Sequence, residues 1–214
     1  LMLYLITLVF VKSLHELGHA FVSKYFGCRV SSIGIAFLVF FPFLYTDTSD
    51  AWRLRDHKDR LLINFAGILT EIHLALISTF LWAILPDGGL KSVAFFIATT
   101  SWISSLAINV SPFMRFDGYY VFSDWLKAEN LQPRSFALAR WQLREILFGF
   151  NHPPPEDLNP TRRWTFISYA WLTWVYRFFI FLGIALLVYH LEFKSLGIIL
   201  FVIEIYWFIL RPII

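Results

Sequence analysis

The chain has 214 residues, of which 58% are hydrophobic, 20% aromatic and only 15% charged, and its mean hydropathy is +0.63. That much apolar surface excludes an ordinary soluble domain and points to a chain solvated by lipid. The net charge of +3 carries meaning only once topology places it, and Cys28, the sole cysteine, rules out an intrachain disulfide and leaves any metal site to histidine and carboxylate.

A bilayer core takes about 20 apolar residues per helix. Taken in order, the pattern predicts an all-α polytopic membrane protein with about five transmembrane helices. The first covers residues 1–26; it begins at once, without the basic start and cleavage site of a signal peptide, which reads as a fragment or trimmed domain. Residues 33–45, "IGIAFLVFFPFLY", are too short to span and are interrupted by Gly34 and Pro42, so they read as a re-entrant strand pair or loop that buries its backbone against protein. Spans two and three, residues 61–85 and 92–110, form an antiparallel hairpin. Residues 133–150 set Phe136, Ala139, Leu143, Ile146, Leu147 and Phe150 at helical spacing with Arg134, Arg140 and Arg144 off that face, as in a cytoplasmic interfacial helix on an anionic leaflet. The Pro-rich "NHPPPEDLNPTRR" then leads into spans four and five, residues 164–190 and 196–210. The expected domains are a core over residues 1–126, an interfacial helix and linker over 127–163, and a C-terminal hairpin over 164–214.

Basic residues stay on the cytoplasmic side. With Leu1 outside, fourteen of the eighteen Lys and Arg residues fall in cytoplasmic segments and only Lys91 and Lys194 in outer loops, Lys12 and Arg177 lying within spans. This orientation puts the inner end of span one on the cytoplasmic side.

Span one contains "VKSLHELGHA", whose ionisable groups are costly in a bilayer. His15 and His19, at i and i+4, share a helix face, so both imidazoles can reach one ion. Glu16 is angled beside that ion, where it could take a proton from water instead of ligating, which is the His-Glu-x-x-His arrangement of zinc metallopeptidases. Two core histidines bonded within the bundle are the plainer alternative. Gly18 leaves the face bare for close approach of a helix or substrate. A catalytic zinc wants three protein ligands. Span three ends "SLAINVSPFMRFDGYY", where Asn109 and Pro112 interrupt the helix and Gly118 permits an unusual turn, and topology brings Asp117 towards the histidines. Asp117 reads equally as an N-cap or turn aspartate.

"HELGH" on a first span, followed by Asn-x-x-Pro and Asp-Gly in "NVSPFMRFDG", resembles the site-2 proteases, which are intramembrane zinc metallopeptidases. "YTDTSDAW" and "SPFMRFDGYYVFSD" are similar to a bacterial branch of peptide zinc metalloproteases, often joined to membrane-fusion adaptor domains of secretion systems. The resemblance covers about residues 1–126. It implies a Zn2+ site with His15, His19 and Asp117 as ligands, Glu16 as the catalytic carboxylate, and Asn109 near the substrate or its oxyanion. It implies a membrane-spanning protein or peptide substrate, opened as an extended strand that the re-entrant segment could hold by edge pairing; that segment reads equally as an aromatic interface anchor.

Of the other intramembrane polar residues, Lys12 is expected to pair with Glu71 of span two, His73 to bond between helices, and Arg177 to snorkel or stack on aromatics. The leading function is intramembrane proteolysis, with the lipid bilayer and a secretion-system adaptor as surroundings and no nucleic acid partner. The alternative is a non-proteolytic component of peptide export or assembly that retains a structural zinc site. Glu16 separates the two, because a structural site has no use for it. A metal-dependent lipid-modifying enzyme would show more histidine clusters than this chain has.

Overall fold

The computed structural model describes residues 2–38, 41–191 and 193–213. Val39 and Phe40, in the middle of the expected re-entrant segment, lie outside the described residues, as do Leu1, Glu192 and Ile214. The chain is mostly helical and divides into two compact units, residues 1–127 and 128–214.

The first unit is a three-helix membrane core. Helix α1 (Met2–Tyr25) packs on α2 (His57–Ile84), and both pack on α3 (Gly89–Trp102), which continues as a π-helix over Ile103–Asn109. Asp56 caps α2 by accepting the Lys58 N–H at 2.9 Å, satisfying a donor the helix cannot. The unit is apolar outside and polar within. Phe21 is 70% and Phe80 63% exposed, whereas His15, His19, Glu71, Ser101, Ser104, Ser105 and Asn109 are buried. Small residues, Ala66, Ala75, Ala94 and Ala98, fill the spaces between helices, as they do where lipid removes the hydrophobic drive for association and close backbone contact takes over. Gly18 makes the closest such contact. A Cβ there would lie 2.2 Å from Thr70 Oγ1 and 3.1 Å from the Ala66 carbonyl, so the bare face serves the approach of α2.

Between α1 and α2 the chain forms an antiparallel ribbon, β1 (Ile33–Leu38) and β2 (Phe41–Thr46), in register from Ile33 opposite Thr46 to Leu38 opposite Phe41. Gly34 and Pro42, expected to interrupt the segment, sit inside the strands. In a two-stranded ribbon both strands have an open edge, which tolerates proline, and the Tyr45 ring lies over Gly34. A short 3-10 turn, Ser49–Arg53, leads to α2, with Cys28, Ala51 and Ile63 buried together beneath it. After α3, α4 (Asp117–Trp125) closes the unit against α2.

In the second unit, α5 (Leu131–Phe148) packs on α6 (Pro160–His190), and α6 on α7 (Lys194–Ile205), which continues through a π-turn at Tyr206–Leu210 to a last helical turn, α8 (Arg211–Ile213). Leu131, Leu138 and Ala139 of α5 are buried, while Ile146, Leu147 and Phe150 of the expected apolar face are exposed. Arg134 pairs with Glu156, and Arg177 lies 5.7 Å over the Phe136 ring, the aromatic stacking anticipated for it. Four helices among the described residues are long and apolar enough to cross a membrane: Leu3–Tyr25, His57–Ile84, Gly89–Asn109 and Pro160–His190. The expected fifth span is present as a helix but is not one of these four.

Filling the α1–α2 contact should disturb the core. Gly18→Val is expected to destabilise the detergent-solubilised chain by about 1–3 kcal/mol through overpacking, read as a lowered thermal unfolding midpoint.

Candidate metal centre

His15 and His19 project from adjacent turns of α1 towards α2, and both are buried. The sequence leaves room for them at Gly67. A Cβ at Gly67 would lie 2.4 Å from His15 Nε2 and 2.5 Å from His19 Nε2, so any larger residue would occupy the space where the two nitrogens face each other.

Asp117 reaches this point from the far end of the unit because α4 is pinned twice. At its start, Gly118 packs on the end of α3, where a Cβ would meet the Val110 carbonyl at 2.3 Å. The glycine therefore serves close approach, and the unusual backbone turn expected of it is not what it supplies. At its other end, buried Asp124 takes an ion pair from Arg60 at 3.1 Å and a hydrogen bond from Asn64 Nδ2 at 2.6 Å, both on α2. Asp117 is left at the first turn of α4 with Oδ2 2.9 Å from His15 Nε2 and 3.3 Å from His19 Nε2. The Asp117 carboxyl is ionised at neutral pH.

One ligand atom from each of His15, His19 and Asp117 falls within 4.8 Å of the others, so the three could hold a metal ion. The hydrogen-bond partners fit such an ion. His19 Nδ1 lies 2.8 Å from the Ile63 carbonyl, and His15 Nδ1 lies 3.0 Å from Glu71 Oε1. With the ring proton on Nδ1 towards these acceptors, each Nε2 has a lone pair to offer a cation. Two Nε2 lone pairs 3.3 Å apart then face each other and a carboxylate, an arrangement that repels itself without a cation between. In a tetrahedral site with bonds of about 2.0–2.1 Å, ligand atoms stand about 3.3–3.4 Å apart, close to these separations.

Glu16 is half-buried and lines, with His19 and Asp117, a cavity of about 350 Å3. The 3-10 turn and β2 form one wall through Tyr45, Thr46 and Trp52, and α2 and α4 another through Asn64 and Tyr120. Thr46 Oγ1 donates to the Glu16 carbonyl at 3.0 Å, tying the end of the ribbon to the turn of α1 that carries the motif.

Asn109, expected near the substrate or its oxyanion, donates through Nδ2 to Glu71 Oε2 at 3.0 Å and has the same atom 3.4 Å from His15 Nδ1. Lys12 pairs with Glu71 at 2.8 Å, as expected. His73 does not bond between helices; it is exposed, with Nδ1 2.7 Å from the Leu69 carbonyl of its own helix. Gly67, Asn64 and the contact of Glu71 with His15 were not anticipated. A glycine inside a long helix, four residues before a buried carboxylate, was the available signal.

Gly67→Ala should therefore expel the metal while leaving the helix intact, since alanine is the better helix former. Zinc content per chain is expected to fall to near zero with the far-ultraviolet circular dichroism unchanged.

Residues 3–106 match the model of peptidase family M50, a match that ends before Asp117. The "Putative peptide zinc metalloprotease protein YydH" of Bacillus subtilis (strain 168) is 25% identical over 118 residues, which cover 55% of this chain and 45% of that protein. The chain thus spans less than half the length of this curated relative. No solved structure matches the chain. The paired histidines, the carboxylate brought to them and the apolar spans that carry them agree with that match, which makes residues 3–106 of this integral membrane protein similar to peptidase family M50, the site-2 protease family of metallopeptidases.

Proposed function

We propose that the chain is a zinc-dependent endopeptidase that hydrolyses peptide bonds of membrane-embedded or membrane-delivered substrates. The observation that carries this reading is the convergence of His15, His19 and Asp117 beside a cavity that His19, Asp117 and Glu16 line. When bound, Zn2+ supplies Lewis acidity, polarising the scissile carbonyl and lowering the pKa of water from about 15.7 towards about 7. His15 and His19 present Nε2 and Asp117 its carboxylate as the holding groups. Glu16, whose carboxylate has no hydrogen-bond partner among the described residues, accepts the proton of the attacking water and returns it to the leaving nitrogen.

A helical substrate has its carbonyls already bonded and must be opened before cleavage. β2 borders the cavity at Tyr45 and Thr46, and its open edge offers backbone groups to an extended peptide. The distribution of basic residues supports a site facing the cytoplasm of a bacterial inner membrane, with α7 and its continuation as a fifth span. A secretion-system adaptor domain is the partner that the sequence resemblance favours. A structural zinc site in an export component would leave Glu16 without a task.

The test pairs metal content with cleavage of a membrane-tethered reporter. Glu16→Gln is expected to keep zinc and lose about 10²–10⁴ in cleavage rate; equal cleavage by this variant and the wild type would sink the protease reading. Asp117→Ala is expected to bind zinc more weakly in competition with a chelator, and full affinity would remove it from the ligand set.

A further inference from the structure

We infer that Glu71 is a positioning residue for His15, that Ser104 and Asn109 hold Glu71 in place, and that Lys12 compensates its buried charge. The inference rests on the metal reading above and assigns a task to groups that the reaction itself does not use.

Glu71 is fully buried on α2, one helical turn beyond Gly67, and so on the face cleared for the imidazoles. Its Oε1 lies 2.8 Å from Lys12 Nζ, 3.0 Å from His15 Nδ1 and 3.2 Å from Ser104 Oγ; its Oε2 lies 3.0 Å from Asn109 Nδ2. Four donors from α1 and α3 therefore converge on one carboxylate of α2. That is more than neutralising Lys12 requires.

The π-helix explains how α3 delivers two of them. Ser104 and Asn109 are five residues apart, a spacing that in an α-helix turns side chains about 140° from each other. The i to i+5 pattern over Ile103–Asn109, with Val110 N–H bonded to the Ser105 carbonyl at 2.9 Å, brings both to one face. The widened turn is thus tied to the grip on Glu71.

The two histidines are supported differently. His19 is fixed by the backbone carbonyl of Ile63, which no substitution removes, whereas His15 depends on a side chain. An anionic acceptor on Nδ1 holds the proton there, orients the ring and raises the basicity of Nε2 towards a metal. Lys12, whose side chain is 28% exposed, compensates the charge that this device buries.

The plainer account is a buried Lys12–Glu71 pair that only joins α1 to α2, and the two accounts differ in what each variant does to the metal. On the full chain in detergent, zinc affinity is measured by chelator competition, the visible spectrum with Co2+ alone reports ligand geometry, and thermal unfolding reports stability. Glu71→Gln is expected to bind zinc about 10- to 100-fold more weakly and to shift the Co2+ spectrum. Lys12→Met is expected to lower the unfolding midpoint while keeping zinc affinity. Should Glu71→Gln not fold, Glu71→Asp carries the same test, because it keeps the charge for Lys12 but is one methylene too short for His15. Wild-type zinc affinity and Co2+ spectrum in the folded Glu71 variant would overturn the inference, as would equal loss of zinc affinity in Lys12→Met. A wild-type chain that binds neither metal would instead overturn the metal reading itself.

Discussion

Everything in the first unit follows from placing ionised groups inside a bundle whose outer surface is apolar. Each such group is costly at membrane depth unless a partner compensates it. Lys12 answers one of the three carboxylates Glu16, Glu71 and Asp117, which leaves an excess of two negative charges within and beside a set of lone pairs that face one another. A divalent cation restores neutrality and relieves that repulsion at once. The same ion that chemistry would want at the Nε2 atoms is the one electrostatics wants in the cluster, so the site needs no strained backbone to be selective for charge.

The constraint reaches outward through small residues. The imidazoles fit only because Gly67 has no side chain, and α1 comes close enough to α2 to present them only because Gly18 has none. A glycine inside a helix costs about 1 kcal/mol relative to alanine, yet here it is the absent atoms that make room for ligand atoms. The same reasoning holds at α4. Gly118 lets its first turn sit on the end of α3, and Asp124 locks the helix to Arg60 and Asn64, so a carboxylate nearly a hundred residues from the motif arrives within hydrogen-bonding distance of it.

How much of this the sequence discloses depends on the range of the interaction. The i, i+4 histidines are a local pattern, and hydropathy alone locates the spans to within a few residues of the helices observed. Asp117 could be placed because two spans run parallel and one ends in a break. The Lys12–Glu71 pair could be placed because few polar residues share a depth. The failures are where local rules are overridden. Gly34 and Pro42 read as breaks but are accommodated by a ribbon with two open edges. The contact of Asn109 with Glu71 was not legible, because an α-helical period gives no hint that a π-turn aligns Asn109 with Ser104. His73 looked like a cross-helix donor, but its own helix offers a carbonyl one turn back. Gly67 was silent because its role is a distance to two side chains of another helix.

The two units also divide the chemistry between them. In the first, polar atoms are gathered inside; in the second, Leu131, Leu138, Phe166 and Ile167 form an apolar core, and the cations lie on aromatic rings, as Arg134 does over Phe166 and Arg177 over Phe136. A guanidinium over a ring face gains cation–π attraction, and Arg134 adds its pair with Glu156, so these basic residues are compensated without joining the His–Asp cluster. The His–Asp cluster therefore owes its form to the first unit alone. The family match covers α1, α2, α3 and part of its π-helical continuation, but the third ligand comes from α4, beyond its end. What completes the proposed centre is thus a short helix, positioned by Asp124 and Gly118, that brings Asp117 back to the histidines of α1.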